Sequence, residues 1–322
     1  MLIRAATLGL ILVSLAGCGG ALANRSGSGV EATRLATSTT SPATFDRWIE
    51  GFRARALSQG IENRTLDRAF AGVSFNADSL RRDAHQPEFS RPIWAYLDSA
   101  VSDTRIENGQ AMLREHADVL AAIEARYNVE REVVVAIWGL ESSFGRLRGT
   151  TPIIETLATL SYEGRRTAFF EEQLVAALRI LQAGDVAPRD MVGSWAGAMG
   201  HTQFIPTSYL DYAVDFNGDG RRDIWADDPT DALASAAAYL ARFGWTRGQP
   251  ALVEVRLPQG FDTRQAGQTR PAQEWAALGL QARPGNRIPA SGEATLMFPA
   301  GANGPALLTF SNFGVIKRYN NA

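Results

Sequence analysis

The chain of 322 residues is 45% hydrophobic and 20% charged, an ordinary globular composition with room for a buried core and for about two domains. Thirty-two lysines and arginines against 34 acidic residues leave a net charge of −2, without the basic excess that nucleic-acid binding calls for. One cysteine, Cys18, excludes a disulfide scaffold, a cysteine-based metal site and dithiol redox chemistry; the scattered His85, His116 and His201 exclude an HxxxH zinc motif.

Residues 1–17 read as a lipoprotein signal peptide. Arg4 gives a positive start, and the apolar run 8–15 is too short to span a bilayer as a helix. The run ends in Leu15-Ala16-Gly17-Cys18, which resembles the bacterial lipobox, where small residues admit the peptidase and the cysteine sulfur takes the lipid. A plain signal cut after Ala21-Leu22-Ala23 is the alternative, and it would discard Cys18. Gly19 stands where lipoproteins kept at the inner membrane carry Asp, which favours the outer membrane. Residues 18–44, above all the Ser-, Thr-, Gly- and Ala-rich stretch 24–44, have no apolar period and read as a flexible tether.

From Thr44, a candidate cap, Phe45, Trp48, Ile49 and Phe52 follow at helical spacing, and Gly60 ends the element. Short helices are expected over 64–71 and 90–100. A long one is expected over 106–127, with Met112, Leu113, Val119, Leu120 and Ile123 inward. Residues 133–140 are eight consecutive uncharged residues, the mark of a central helix buried all round. Further helices are expected over 169–181 and 231–243, the latter stopped by Gly244. After Pro250 the texture changes: 252–257 alternates like a strand, 295–298 and 307–310 are short strands, and 271–280 is a small helix between them. The reading is therefore mainly α, with a helical core over 45–249, a small α+β subdomain over 250–310, and 311–322 returning to the core.

Three segments carry chemistry. Glu141 follows the apolar helix, and a carboxyl there, facing a cleft, is desolvated and kept protonated as a general acid must be; the alternative is an ordinary surface glutamate at a helix end. The run 193–209, with three glycines in its first eight positions, suits a backbone that approaches a ligand closely, with Gln203 and Tyr209 offering hydrogen bonds; the alternative is a structural loop with an aromatic plug. Residues 215–223 fit the front of an EF-hand calcium loop: Asp215, Asn217 and Asp219 supply oxygens, Gly220 the sharp turn, Arg221 a carbonyl, and Asp223 a carboxylate or its water. Position 12, normally Glu, is Ala226, so closure falls to Asp227, Asp228 or Asp231.

Taken together and in order, these segments resemble the lytic murein transglycosylase B family, from about Phe45 to the C-terminus. Leu157-Ala158-Thr159-Leu160-Ser161, Arg165-Arg166 and Gln203-Phe204-Ile205-Pro206 add to the match. The resemblance implies a lysozyme-like helical core with an EF-hand-like calcium loop and one catalytic glutamate, at Glu141. It implies glycan-cleft positions at Ser194, Gln203, Phe204, Tyr239, Tyr319 and Asn320, and more loosely at Tyr96. Arg165 and Arg166 would face the peptide stem, and Asp231 would close a calcium loop longer than an ordinary EF-hand. Family members continue beyond Arg318-Tyr319-Asn320 with a packing helix, so with the sequence ending at Ala322 that helix is expected to be missing. The implied activity is nonhydrolytic cleavage of the β-1,4 bond between N-acetylmuramic acid and N-acetylglucosamine in peptidoglycan, leaving 1,6-anhydro ends. Structural calcium is expected and no organic cofactor. The partners are glycan strands and, through the lipid, a membrane; the chain is a monomer in the periplasm of a Gram-negative bacterium. Lysozyme-type hydrolysis, or a noncatalytic calcium-stabilised peptidoglycan-binding lipoprotein, are the other readings.

Overall fold

The computed structural model describes residues 42–84 and 93–320. The signal segment, Cys18, the tether, His85 and the expected start of a helix at Ser90 lie outside the described residues. Helix α1, Pro42–Ser58, buries Phe45 and Phe52 as the 3–4 spacing requires, though Thr44 lies inside it rather than capping it. Helices α2 (Asn63–Ala69), α3 (Ala77–Ala84) and α4 (Ile93–Ala100) follow.

The single helix expected over 106–127 is two, α5 (Asp103–Glu115) and α6 (Ala117–Tyr127), broken at His116, whose ψ of 26° departs from the helix. Tertiary packing overrides the continuous pattern. α5 packs on α7, Arg131–Ser142, whereas α6 packs mainly on α11, Thr230–Arg242. The apolar helix α7 is central but not buried all round: Val134, Val135, Ile137 and Trp138 face the core, while Ala136 is exposed and Leu140 is 48% exposed.

Helices α8 (Ile153–Glu163) and α9 (Thr167–Ala183) make the most extensive helix pair; Leu157, Leu160, Leu174 and Leu178 are all fully buried. A two-stranded antiparallel ribbon, β1 (Thr151–Pro152) with β2 (Val192–Gly193), joins the loop after α7 to the loop after α9. The short helix α10, Pro206–Tyr212, starts with proline at its first position, where the missing N–H costs nothing.

Residues after 250 build an antiparallel five-stranded sheet in the order β4 (Thr269–Pro271), β6 (Glu293–Met297), β7 (Ala306–Thr309), β3 (Leu252–Arg256), β5 (Gln281–Ala282). Val253, Val255, Ala294 and Leu296 alternate inward along β3 and β6 and surround Trp275 of the helix α12, Ala272–Ala277. Trp275 is fully buried and donates its indole N–H to Ala294 O at 2.8 Å. The last helix, α13 (Ser311–Tyr319), occupies a stretch read from sequence only as a return. Asn312, fully buried, holds its start by donating to Thr246 O and Gln249 O and accepting from Thr246 N.

Candidate active site

Glu141 stands in the last turn of α7, half-buried, and its Oε1 accepts a hydrogen bond from Asn320 Nδ2 at 3.1 Å. Burial pushes this carboxyl's pKa above its ordinary value; the Asn320 bond, which favours the charged form, pulls the other way and is outweighed.

The helix stops there because the next three residues are left-handed: Ser143 at φ +50°, Phe144 at +59° and Gly145 at +77°. For two residues with a Cβ this conformation is strained, so contacts must impose it. The Phe144 ring folds back over Gly139, where a Cβ would lie 2.6 Å from the ring, so the residue two before Glu141 has to be glycine. Ser142 Oγ donates to His201 O at 2.6 Å and accepts from Gly145 N–H at 2.9 Å. A Cβ on Gly145 would overlap the His201 ring.

His201 is 3% exposed, and its tautomer follows from its partners. Trp138 Nε1 can only donate, and it points at Nδ1 at 3.0 Å, so Nδ1 accepts and Nε2 carries the proton. Nε2–H then donates to Ala226 O at 2.7 Å. Arg148, 3.1 Å from Nε2, directs its hydrogens to Trp225 O and Ala226 O at 2.9 and 2.8 Å and pairs with Asp227 at 3.0 Å. Burial pushes the imidazole pKa down, partly offset by the Ala226 bond and reinforced by the Arg148 charge.

The C-terminal segment brings Asn320 to the carboxyl. Tyr239 OH donates to Arg318 O at 2.7 Å, and Tyr319 OH donates to Thr202 O at 2.8 Å. The Tyr319 ring lies 4.9 Å from Tyr239 and 5.8 Å from Phe204. Burial, with the neighbouring Glu141 charge, pushes the Tyr319 phenol well up. Phe204, expected at the cleft, is 3% exposed and packs against the rings of Tyr239 and Tyr319.

Glycines of the run make close approaches within the protein. Gly193 packs against the Ala198 carbonyl, and a Cβ on Gly197 would lie 2.7 Å from Leu157. Bridges from Gly193 to Met199 and from Met199 to Phe204 fold the run on itself. Ser194 Oγ accepts from Ala196 N and Ala198 N, forming the turn. Gln203, at φ +53°, donates both Nε2 hydrogens, to Gly200 O at 2.8 Å and Arg148 O at 3.1 Å, and so ties the run to the loop after Glu141. Tyr209 is fully buried and donates to Arg222 O at 2.6 Å, so it is a structural residue and not a ligand donor.

Arg165 and Arg166 share no hydrogen bond or ion pair with Glu141 among the described residues. Arg165 donates to the buried Asp83 through its backbone N–H at 3.1 Å and Nε at 3.4 Å, and Arg166 lies over the rings of Phe169 and Phe170. Tyr96 belongs to α4, and its side chain lies outside the described residues.

In the acidic loop, oxygens of Asp215, Asp219 and Asp231 lie within 4.8 Å of one another. Gly218 and Gly220, at φ +80° and +88°, let the backbone curl inside them. Asp231, 2% exposed in the first turn of α11, accepts from Phe216 N at 2.8 Å and Asn217 N at 3.3 Å on one oxygen and from Asp223 N at 2.9 Å on the other, so it pins both ends of the loop. The other candidates for closure are engaged elsewhere: Asp227 with Arg148, and Asp228 with the N–H and hydroxyl of Thr230. Asp223 Oδ1 accepts from Trp225 N and Ala226 N, both at 2.9 Å. Sequence reasoning missed Ser142, Trp138, Arg148 and His201; a histidine inside a glycine-rich run was the one available signal.

A profile of the transglycosylase SLT domain matches residues 44–322. Over 235 residues the chain is 35% identical to the membrane-bound lytic murein transglycosylase B of Escherichia coli strain K12, covering 70% of this chain and 62% of that one; it thus spans less than two thirds of that relative's length. The structure is similar to SltB3 from Pseudomonas aeruginosa, solved in complex with NAG-NAM-pentapeptide, with a TM-score of 0.83 and 50% identity across 86% of this chain and 75% of that one. It is also similar to the E. coli lytic transglycosylase Slt35, solved in complex with calcium, with a TM-score of 0.72 and 29% identity across 85% and 87%.

The two opposite pKa shifts each add to the pH dependence of stability. Glu141 holds its proton to higher pH in the folded chain than in the unfolded one, so its contribution is complete below the ordinary 4.5 and is lost as pH rises through the raised value. His201 resists protonation when folded, so its contribution is complete above the ordinary 6.5 and is lost as pH falls through the lowered value. Urea midpoints measured across this range should show Glu141→Gln gaining on the wild type as pH rises and then levelling off. A constant difference at all pH values would contradict the raised pKa.

Proposed function

The chain belongs to the transglycosylase SLT domain family, and we propose that it cleaves the β-1,4 bond between N-acetylmuramic acid and N-acetylglucosamine in peptide-bearing glycan strands without consuming water. The observation that carries this is a partly desolvated carboxyl, Glu141, held by Asn320 at the end of the central helix α7. A retaining glycosidase with two carboxylates places them about 5–5.5 Å apart. The residues that match the family offer one catalytic acid, Glu141, which suits assistance by the substrate. The second function is assigned to the substrate. Glu141 protonates the glycosidic oxygen while the muramic acid N-acetyl carbonyl steadies the positive charge developing at C1. The ionised Glu141, accepting from Asn320, then takes the proton of the C6 hydroxyl, which attacks C1 and closes the 1,6-anhydro ring. Glu141→Gln should lower anhydromuropeptide release from sacculi by at least about 10²–10⁴-fold, with sacculus binding retained. Activity within tenfold of wild type would sink the assignment, and reducing rather than anhydro ends would favour lysozyme-type hydrolysis.

We further propose that the loop holds a structural Ca²⁺, as the hard carboxylate and carbonyl donors suit. Asp215, Asn217 and Asp219 would supply side-chain oxygens, Arg221 its carbonyl, Asp223 its other oxygen or a water, and Asp231 would close the site. The ion would offset the repulsion among the converging carboxylates and stabilise the fold, with no part in bond cleavage. Calcium added to chelator-stripped protein should raise Tm by mass action, and Asp219→Ala should abolish the rise. An unchanged Tm would reject the site.

The lipobox reading leads us to propose a monomeric lipoprotein, anchored through Cys18 to the periplasmic face of the outer membrane. Cys18→Ala should shift the protein from the membrane to the soluble periplasmic fraction. A wild type that is already soluble and begins at Asn24 would establish simple signal cleavage instead.

A further inference from the structure

A groove of about 910 Å³ lies between α1, α8, α9 and α10, and no residue of the Glu141 site lines it. Thr207, Leu210 and Asp211, at 3–4 spacing, bring one face of α10 to it. Tyr212 leaves another face of that helix and packs 4.8 Å from Tyr239, the tyrosine that holds Arg318 O near the end of α13. The groove and the Glu141 site therefore use different faces of one short helix.

Its floor is apolar and aromatic. Val175 and Ala176 are buried there, and the half-buried Trp48 and Tyr162 stand with ring centroids 5.9 Å apart. Each of those two rings carries a polar tip. Trp138, Trp225, Trp245 and Trp275 give their indole N–H to acceptors within the protein. Among the described residues, the Trp48 N–H and the Tyr162 hydroxyl meet no such acceptor, and both residues line the groove. The rim is polar. Glu172, Asp211 and Arg179 are exposed and make no ion pair among the described residues, while Glu171 is held by Arg55 at 2.8 and 2.9 Å. An aromatic floor with idle N–H and O–H tips suits a ligand that is itself amphipathic. A rim of both signs makes no field that would gather a polyanion or an acidic lipid surface. An N-acetylated sugar fits these terms: its ring C–H faces are apolar, its hydroxyls and amide give and accept hydrogen bonds, and it carries no charge.

We propose that this groove is a second saccharide site, which holds N-acetylhexosamine units of the glycan strand away from Glu141; the identity of the strand rests on the function proposed above. A polymer gripped at two places is still held by one when the other lets go, so a weak grip at each gives firm retention on the sacculus.

Cosedimentation with sacculi, before and after enzymatic removal of their peptides, tests it, beside turnover of a soluble NAG-NAM-NAG-NAM tetrasaccharide. The triple variant Tyr162→Phe/Glu172→Ala/Asp211→Ala keeps the aromatic ring that packs on Phe45 and Phe75 and changes two exposed carboxylates. It should bind both kinds of sacculi about tenfold more weakly, the effect of losing one or two hydrogen bonds, and turn over the tetrasaccharide as the wild type does. Unchanged sacculus binding, or an equal loss of tetrasaccharide turnover, overturns the second site. A loss confined to peptide-bearing sacculi means that the groove reads the peptide, and the proposal fails. If the wild type releases no anhydro ends from any substrate while sacculus binding still drops tenfold in the triple variant, the proposed cleavage fails and the saccharide site stands.

Discussion

The site depends on how one buried helix is made to end. A carboxyl that must be short of water and still reachable has to sit where the core stops, and α7 stops between Glu141 and the left-handed residues Ser143, Phe144 and Gly145. Left-handed backbone at two ordinary residues would unwind unless its surroundings imposed it. The Phe144 ring seated on Gly139, the Ser142 hydroxyl between His201 O and Gly145 N–H, and the imidazole filling the space beside Gly145 together impose it. Substituting either glycine would displace the same turn from opposite sides.

His201 extends that constraint to the acidic loop. Its ring receives Trp138 of α7 and gives to Ala226, whose N–H is held by Asp223; Arg148 clasps the same carbonyl. The chain of bonds works only with a neutral imidazole, since a protonated ring would set two donors, Nδ1–H and the indole N–H, against each other. Asp231 then fastens the loop to α11, and Tyr239 of α11 fastens α13, which delivers Asn320 back to Glu141. The loop and the carboxyl therefore belong to one closed circuit of hydrogen bonds.

Glu141 was legible because eight uncharged residues in a row must be largely buried, so the first charge after them stands at the edge of that burial. The same run overstated the burial, because composition cannot show that Leu140 and Ala136 face out. Asp231 was separable from Asp227 and Asp228 only in three dimensions, by what each carboxylate accepts. The glycines of 193–200 were visible as close-approach positions, but what they approach, Ala198 O and Leu157, is the protein itself. The break at His116 carried no sequence signal because apolar spacing runs through it, and only the different partners of α5 and α6 require it. The His201 partnership spans 63 residues and leaves no local pattern.

A single group that first gives and then takes a proton needs a pKa near the working pH, because a strong acid makes a poor base and a strong base a poor acid. Burial favours the neutral form and opposes ionisation once the proton has gone to the leaving oxygen. The Asn320 amide works against that, since a donor to Oε1 stabilises the carboxylate that exists between the two half-reactions. Asn320 reaches Oε1 from the far end of the described chain, after the sheet and α13 have been built and docked. On the proposed mechanism, the balance between acid and base in one side chain is thus set by two remote features: the apolar face of α7, which removes water, and the end of α13, which restores one hydrogen bond.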